Sequence, residues 1–153
     1  MVSGVLLAIV ALLIGLVIAG QAGLLAGTRP ADLGVHEGRL KPAPPTPNCV
    51  NSQSVDGYSK IAPFAYTGDG KAALARLDAL VAALPAARVI ERRGDYVYAE
   101  FTSRWLGFVD DVELYLDQKA GVIQVRSASR IGRGDWGVNR QRVEAIRAAY
   151  DGR

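Results

Sequence analysis

The chemistry this sequence offers is concentrated in three acids and a run of arginines. Asp110, Asp111 and Glu113 stand almost together. Arg126, Arg130, Arg133 and Arg140 follow, interleaved with Ser127, Ser129, Asp135 and Asn139 in a glycine-rich stretch. Asp111 and Glu113 are two residues apart, so on a strand they share one face, with Asp110 on the other. Oxygen donors of this kind bind divalent cations, but two carboxylates are too few for a metal site. They also suit general acid–base work, which gives one reading: a hydrolase-type enzyme using Asp110, Asp111 and Glu113 with Arg126 and Arg130. No nucleophile accompanies them. Ser127 and Ser129 have no histidine near in sequence, and the one histidine, His36, lies far away. No catalytic residue is therefore assigned. The arginines suggest a different use, clamping a phosphate or carboxylate with help from backbone N–H groups at the start of a following helix. That ligand would be a small anion or a lipid headgroup. The competing reading is structural: acids and arginines pair with each other inside the fold.

Charge placement favours the structural reading. The formal net charge of +3 and pI near 9.2 are only mildly basic. From Asp95 to Asp117 there are six acids against the single base Arg104. From Arg126 to Arg153 there are seven arginines against Asp135, Glu144 and Asp151. Neighbouring segments of opposite sign attract each other, which argues against a free basic patch and against nucleic acid as a partner. With one cysteine, Cys49, there is no intrachain disulfide. One histidine makes a His-based zinc site implausible. No cofactor is expected.

Three regions position these residues. Residues 1–27 carry no charged side chain and contain the apolar run Val5 to Ala19. That length suits a transmembrane anchor, with residues 4–26 in the membrane. The alternative is a signal sequence cut after Ala19, but no Lys or Arg precedes the run. Ala19, Gly23 and Gly27 recur at a spacing open to helix–helix packing, but such spacing is common by chance and the reading preferred is a plain lipid-facing span. Arg29, Arg39 and Lys41 follow the span and favour a cytoplasmic C-terminal part. A domain behind one N-terminal span is nevertheless exportable, and the expectation is a single-pass protein of the cell envelope with an extracytoplasmic, periplasmic domain.

Residues 28–57 form an extended segment in which Pro30, Pro42, Pro44, Pro45 and Pro47 exclude a regular helix. Asn48, Cys49, Ser52 and Gln53 make an unusually polar cluster for a linker, able to pin the segment onto the domain through backbone hydrogen bonds.

Residues 58–153 read as the globular domain. A short strand containing Phe64 precedes a helix capped by Asp69, with Leu74, Leu77, Leu80, Val81 and Leu84 as its apolar stripe and Pro85 ending it. Gly94-Asp95 joins two strands as a hairpin. Two further strands follow, at 108–116 and 122–129. Asn139 is placed to cap a last helix bearing Val143, Ile146 and Tyr150. The expectation is an α+β fold: an antiparallel sheet of four to five strands with two helices mainly on one face, behind one transmembrane helix.

Arg29-Pro30, Leu33-Gly34, Gly38, Leu40 and Pro47-Asn48-Cys49-Val50 with Ser52-Gln53 resemble the N-terminal signature of the domain-of-unknown-function 1499 family. Phe108-Val109-Asp110-Asp111-Val112-Glu113, Arg126 to Gly132, Asp135, Gly137 to Arg140 and Arg142-Val143 resemble its C-terminal signature. The family is bacterial with plastid relatives, often has N-terminal hydrophobic segments and has no assigned function. The resemblance thus implies a docked 28–54 segment but no activity. Many members carry a second cysteine shortly before the Asn-Cys pair. Here that region is Pro42-Ala43-Pro44, so a disulfide there is absent. The expected role is non-catalytic binding of a protein partner or small anionic ligand.

Overall fold

The structure, a computed structural model, describes residues 2–55 and 57–152; Met1, Asp56 and Arg153, the last counted in the basic segment above, lie outside the described residues. The chain opens with helix α1 (Val2–Gln21). Its window Gly4–Gln21 has a mean hydropathy of 2.5, long and apolar enough to cross a membrane. Its apolar side chains are almost all exposed. The helix ends at Gln21, and Gly23 and Gly27 both have left-handed φ, at 80° and 69°. The alternative of a packing stripe at Ala19, Gly23 and Gly27 is therefore not a helical surface, because its last two members lie beyond the helix.

Behind α1 the fold is α+β, as the pattern predicts. Strands β1 (Cys49–Asn51), β2 (Phe64–Ala65), β3 (Ala87–Arg93), β4 (Tyr96–Thr102), β5 (Val109–Asp117) and β6 (Val122–Ser129) form one antiparallel sheet in the order β1-β6-β5-β4-β3, with β2 also on β6. Periodicity missed β1, since three residues beside a proline-rich run carry no alternation. Helices α2 (Gly70–Ala82) and α3 (Val138–Tyr150) lie on one face of the sheet. Asp69 caps α2, accepting from the Lys71 N–H at 2.8 Å. Gly94, at φ 58°, supports the tight turn between β3 and β4.

Alternation separates two faces. Val97, Ala99 and Phe101 of β4, Val112, Leu114 and Leu116 of β5, and Ile123 and Val125 of β6 meet Leu74, Leu77 and Val81 of α2 and Val143, Ile146 and Tyr150 of α3. The opposite face carries Tyr96, Tyr98, Glu100, Asp111, Glu113, Gln124 and Arg126, all buried. Among the described residues no helix lies over it. Leu33, Val35 and Leu40 of the irregular N-terminal segment pack there on Tyr96 and Tyr98. The free edge, β3, is blunted by Arg88, Glu91, Arg92 and Arg93 and by a register shift between Val89 and Glu91.

Candidate functional site

Strand register assembles most of the acids and arginines on the covered face. Glu100 stands opposite Asp111, Tyr98 opposite Glu113, and Glu113 opposite Arg126. Arg130, just past β6, reaches back along the strand. Its Nη2 donates to Asp111 Oδ1 at 2.7 Å and to Glu100 Oε1 at 2.5 Å, and its Nε donates to both Asp111 oxygens. Tyr98 Oη donates to Asp111 Oδ1 at 2.6 Å and accepts from Arg130 Nη2 at 2.9 Å. Glu100 also accepts from Arg29 and from Arg88. Beside this cluster, the fully buried Glu113 accepts from Arg126 Nη1 at 3.1 Å, Tyr96 Oη at 2.9 Å and the backbone N–H of Gly34 at 2.8 Å. Arg126 Nε is buried with no partner among the described residues.

Burial works to raise the Glu100 carboxyl, but hydrogen bonds from Arg130, Arg29 and Arg88 overcome it and hold the group at about 2. Burial, reinforced by Glu113, pushes the Tyr96 phenol far up. Burial reinforced by Asp111 does the same to Tyr98. Arg130 is held above its ordinary range, because its bonds to Asp111 and Glu100 outweigh the cost of burial. Each of these four groups moves away from neutrality, the reverse of the tuning a general acid or base requires.

The third acid is elsewhere. Asp110 points to the helix face, where Arg142 Nη2 of α3 donates to its Oδ2 at 2.5 Å. Arg142 also donates to Ser127 Oγ and Asn139 Oδ1. Asn139 is fully buried and does not cap α3: its Nδ2 donates to Ser129 Oγ, Asp135 Oδ2 and the Asn48 carbonyl, and its Oδ1 accepts from Ser127 Oγ. Gly137, at φ 80°, takes the cap position instead. Asp135 does the capping, accepting the N–H groups of Gly137 at 2.9 Å and Asn139 at 3.0 Å. Burial raises the Asp135 carboxyl, and those N–H donors more than offset it.

Of the remaining expected residues, Arg140 donates to the carbonyls of Tyr58 and Lys60. Arg133 is exposed and makes no ion pair among the described residues. Asn48 Nδ2 holds the Gly132 carbonyl at 2.8 Å, and Ser52 Oγ bridges Gln124 and the Val125 N–H. Gln53 accepts from the Leu40 N–H and donates to the Gly38 carbonyl. Cys49 is buried on β1, opposite Ala128. No cluster of His, Cys, Asp and Glu suited to a metal ion occurs among the described residues.

Residue-type reasoning missed Arg29, Arg88, Glu100, Tyr96, Tyr98 and Arg142. Parity on β4 puts Glu100 with Tyr96 and Tyr98, so those three were findable. Arg29 is 71 positions from Glu100, and although it opens the N-terminal signature, nothing local pairs it with that acid.

The structure also contains an open cleft of about 750 Å³, bounded by the end of α1 at Gly20 and Gln21, by Gly23 just beyond it, and by Arg29, Arg88, Arg104 and Arg130 around Glu100. Arg130 and Glu100 are mostly buried there, while the Arg29 and Arg88 side chains are 45% and 74% exposed.

The family model described as "Protein of unknown function (DUF1499)" matches residues 39–150. No curated protein and no solved structure matches the chain.

Proposed function

From the premise that this chain belongs to the DUF1499 family, we propose that it is a membrane-anchored, non-catalytic binding domain of the cell envelope whose ligand is a small anion. One observation carries this reading: the acids are consumed within the fold while arginine heads remain at the open cleft. Asp111 and Glu113 are closed against Arg130 and Arg126, and Asp110 lies across the sheet against Arg142. The three acids do not converge on one cavity, so the hydrolase reading lacks its constellation. Four arginines line the cleft with the one carboxylate of Glu100, which pairs with Arg29, Arg88 and Arg130, and Asp111 lies behind Arg130. Of the occupants that the sequence leaves open, a protein partner on one side and a small anion or lipid headgroup on the other, this surplus favours the anionic group. The exposed apolar surface of α1 supports the anchor. An extracytoplasmic domain is consistent with the rule that long domains translocate largely regardless of flanking charge.

Two measurements test it. Full-length protein in detergent should melt at a higher temperature with millimolar inorganic phosphate, sulfate or a small carboxylate. The absence of a shift with every anion would sink the binding reading. A reporter enzyme active only outside the cytoplasm, fused after Arg153, should be active; inactivity would reverse the assigned side.

A further inference from the structure

The protein has two tryptophans, and both are left in solvent: Trp105 is 64% and Trp136 97% exposed. Large indole rings are rarely left so bare in a domain with an ordinary core. The two are far apart in sequence but close in topology. Trp105 lies in the loop between β4 and β5, and Trp136 in the loop between β6 and α3. Thr102 ends β4 opposite Val109, which begins β5, and Ser129 ends β6 opposite Asp110, so both loops leave the same end of the sheet. Trp136 also sits in the left-handed region at φ 55°, unfavourable for a bulky residue, within a turn fixed by the Asp135 hydrogen bonds to Gly137 and Asn139.

That end of the sheet is also where α1 arrives. A Cβ on Gly20 would collide with the backbone of Leu106, and one on Gly107 with the backbone of Gly20. Gln21 Nε2 donates to the Arg104 carbonyl at 2.9 Å. Beyond the helix, a Cβ on Gly27 would strike Arg130 and Ile131. The domain therefore meets α1 through close backbone packing. The arginine cleft opens at that junction, and Arg104, which makes no ion pair among the described residues, stacks over Trp105 with 5.0 Å to the ring centroid.

We propose that this end of the sheet is a lipid-recognition surface, where Arg29, Arg88 and Arg104 take the phosphate of an anionic phospholipid and Trp105 and Trp136 lie at headgroup level. The proposal rests on the reading above, that α1 crosses a bilayer and the cleft takes an anion, and it names the anion. A bilayer is the occupant the geometry favours over a protein. The cleft wall is the end of the spanning helix itself, so an anion held there is within reach of the bilayer surface. Amphipathic indoles belong at that depth. Juxtamembrane arginines gain from the negative surface potential of anionic lipids.

The test uses full-length protein in nanodiscs of phosphatidylcholine, with and without phosphatidylglycerol, alongside titration with short-chain phosphatidylglycerol and with inorganic phosphate. Phosphatidylglycerol should raise the melting temperature, and inorganic phosphate at matched concentration should raise it less. Affinity for the short-chain lipid should fall roughly fivefold for each arginine removed in Arg88→Gln and Arg104→Gln. Arg104→Gln alone breaks no ion pair, so it reads the site without disturbing the fold. Quenchers on the lipid headgroup region should reduce the emission of Trp105→Phe and of Trp136→Phe, each of which keeps one indole. An equal response to inorganic phosphate overturns the lipid and leaves the anion reading standing. No response to lipid or to any anion overturns both. A lipid response unchanged in the Arg88→Gln/Arg104→Gln protein, or indoles untouched by the quencher, overturns the assigned surface.

Discussion

The two faces of the sheet are finished by opposite means. On one, α2 and α3 lay apolar stripes across apolar strand positions, and the contact needs only shape and burial. On the other, an irregular segment without a ladder of its own lies over tyrosines, carboxylates and guanidinium groups. Its backbone must find polar partners among side chains. Glu113 takes the Gly34 N–H, Gln53 takes the Leu40 N–H, and Asn51 donates to the Lys41 carbonyl. The difference teaches what each face is sensitive to. The apolar contact under α2 and α3, which the Asp110–Arg142 pair borders, responds to lost volume and carries no titrating group of its own. The covered face responds to a single unpaired charge and to acid.

The sharpest way to break that contrast is Glu113→Ala, which leaves Arg126 buried without its carboxylate and the Gly34 N–H without an acceptor. The expected loss is on the order of 4 kcal/mol by urea unfolding. The apolar pair Glu113→Leu/Arg126→Met should recover much of it. A loss below about 1 kcal/mol for Glu113→Ala would mean that the network is not a structural unit.

On the helix face, Leu77→Ala removes a fully buried side chain and should cost about 3 kcal/mol, with the same value at neutral and acid pH. A pH-dependent loss there would erase the distinction between the faces.

Acid supplies the next test. The folded Glu100 value of about 2 lies below its ordinary 4.5. Its contribution is therefore fully present above pH 4.5 and disappears as pH falls towards 2. The stability gap between wild type and Glu100→Gln should be about 2 kcal/mol at neutral pH, after allowing for the solvent-exposed heads of Arg29 and Arg88. It should close across that acid window, and a gap that persists at pH 2 would remove the electrostatic account.

The smallest effect belongs to Arg133→Ala, at an exposed position, which should stay within about 0.5 kcal/mol. A larger loss would show that the glycine-rich turn has packing not visible in its exposure.

Particular residues show how much of this was legible. Strand parity separated Asp110 from Asp111 and Glu113, and the structure puts them on opposite faces. The opposite net charges of the two segments anticipated internal pairing of acids with arginines, and strand register decided that the pairs are Glu113 with Arg126 and Asp111 with Arg130. The partner of Asp110 was not legible, because Arg142 reaches it from a helix whose rotation over the sheet is set by packing. Nor was the role of Asn139, whose type suits a cap but which the fold turns inward to Ser127 and Ser129, leaving Asp135 to cap. Arg130 and Arg140 looked like arginines left over for a ligand, yet both are engaged, one by carboxylates and one by carbonyls.

By itself the sequence determined the local and periodic features: an uncharged apolar helix, the stop and start signals at Asp69, Pro85 and Gly94, the α+β order of elements, and the face on which each strand residue stands. These follow from backbone preferences and from a two-residue or 3.6-residue repeat, which need no knowledge of distant chain. Only the tertiary structure decided that β1 pairs with β6, that Arg29 closes on Glu100, and that α1 meets the same end of the sheet as both tryptophans. Those contacts join residues tens of positions apart. They exist because the sheet's second face must be covered, and the covering segment brings the end of α1 with it.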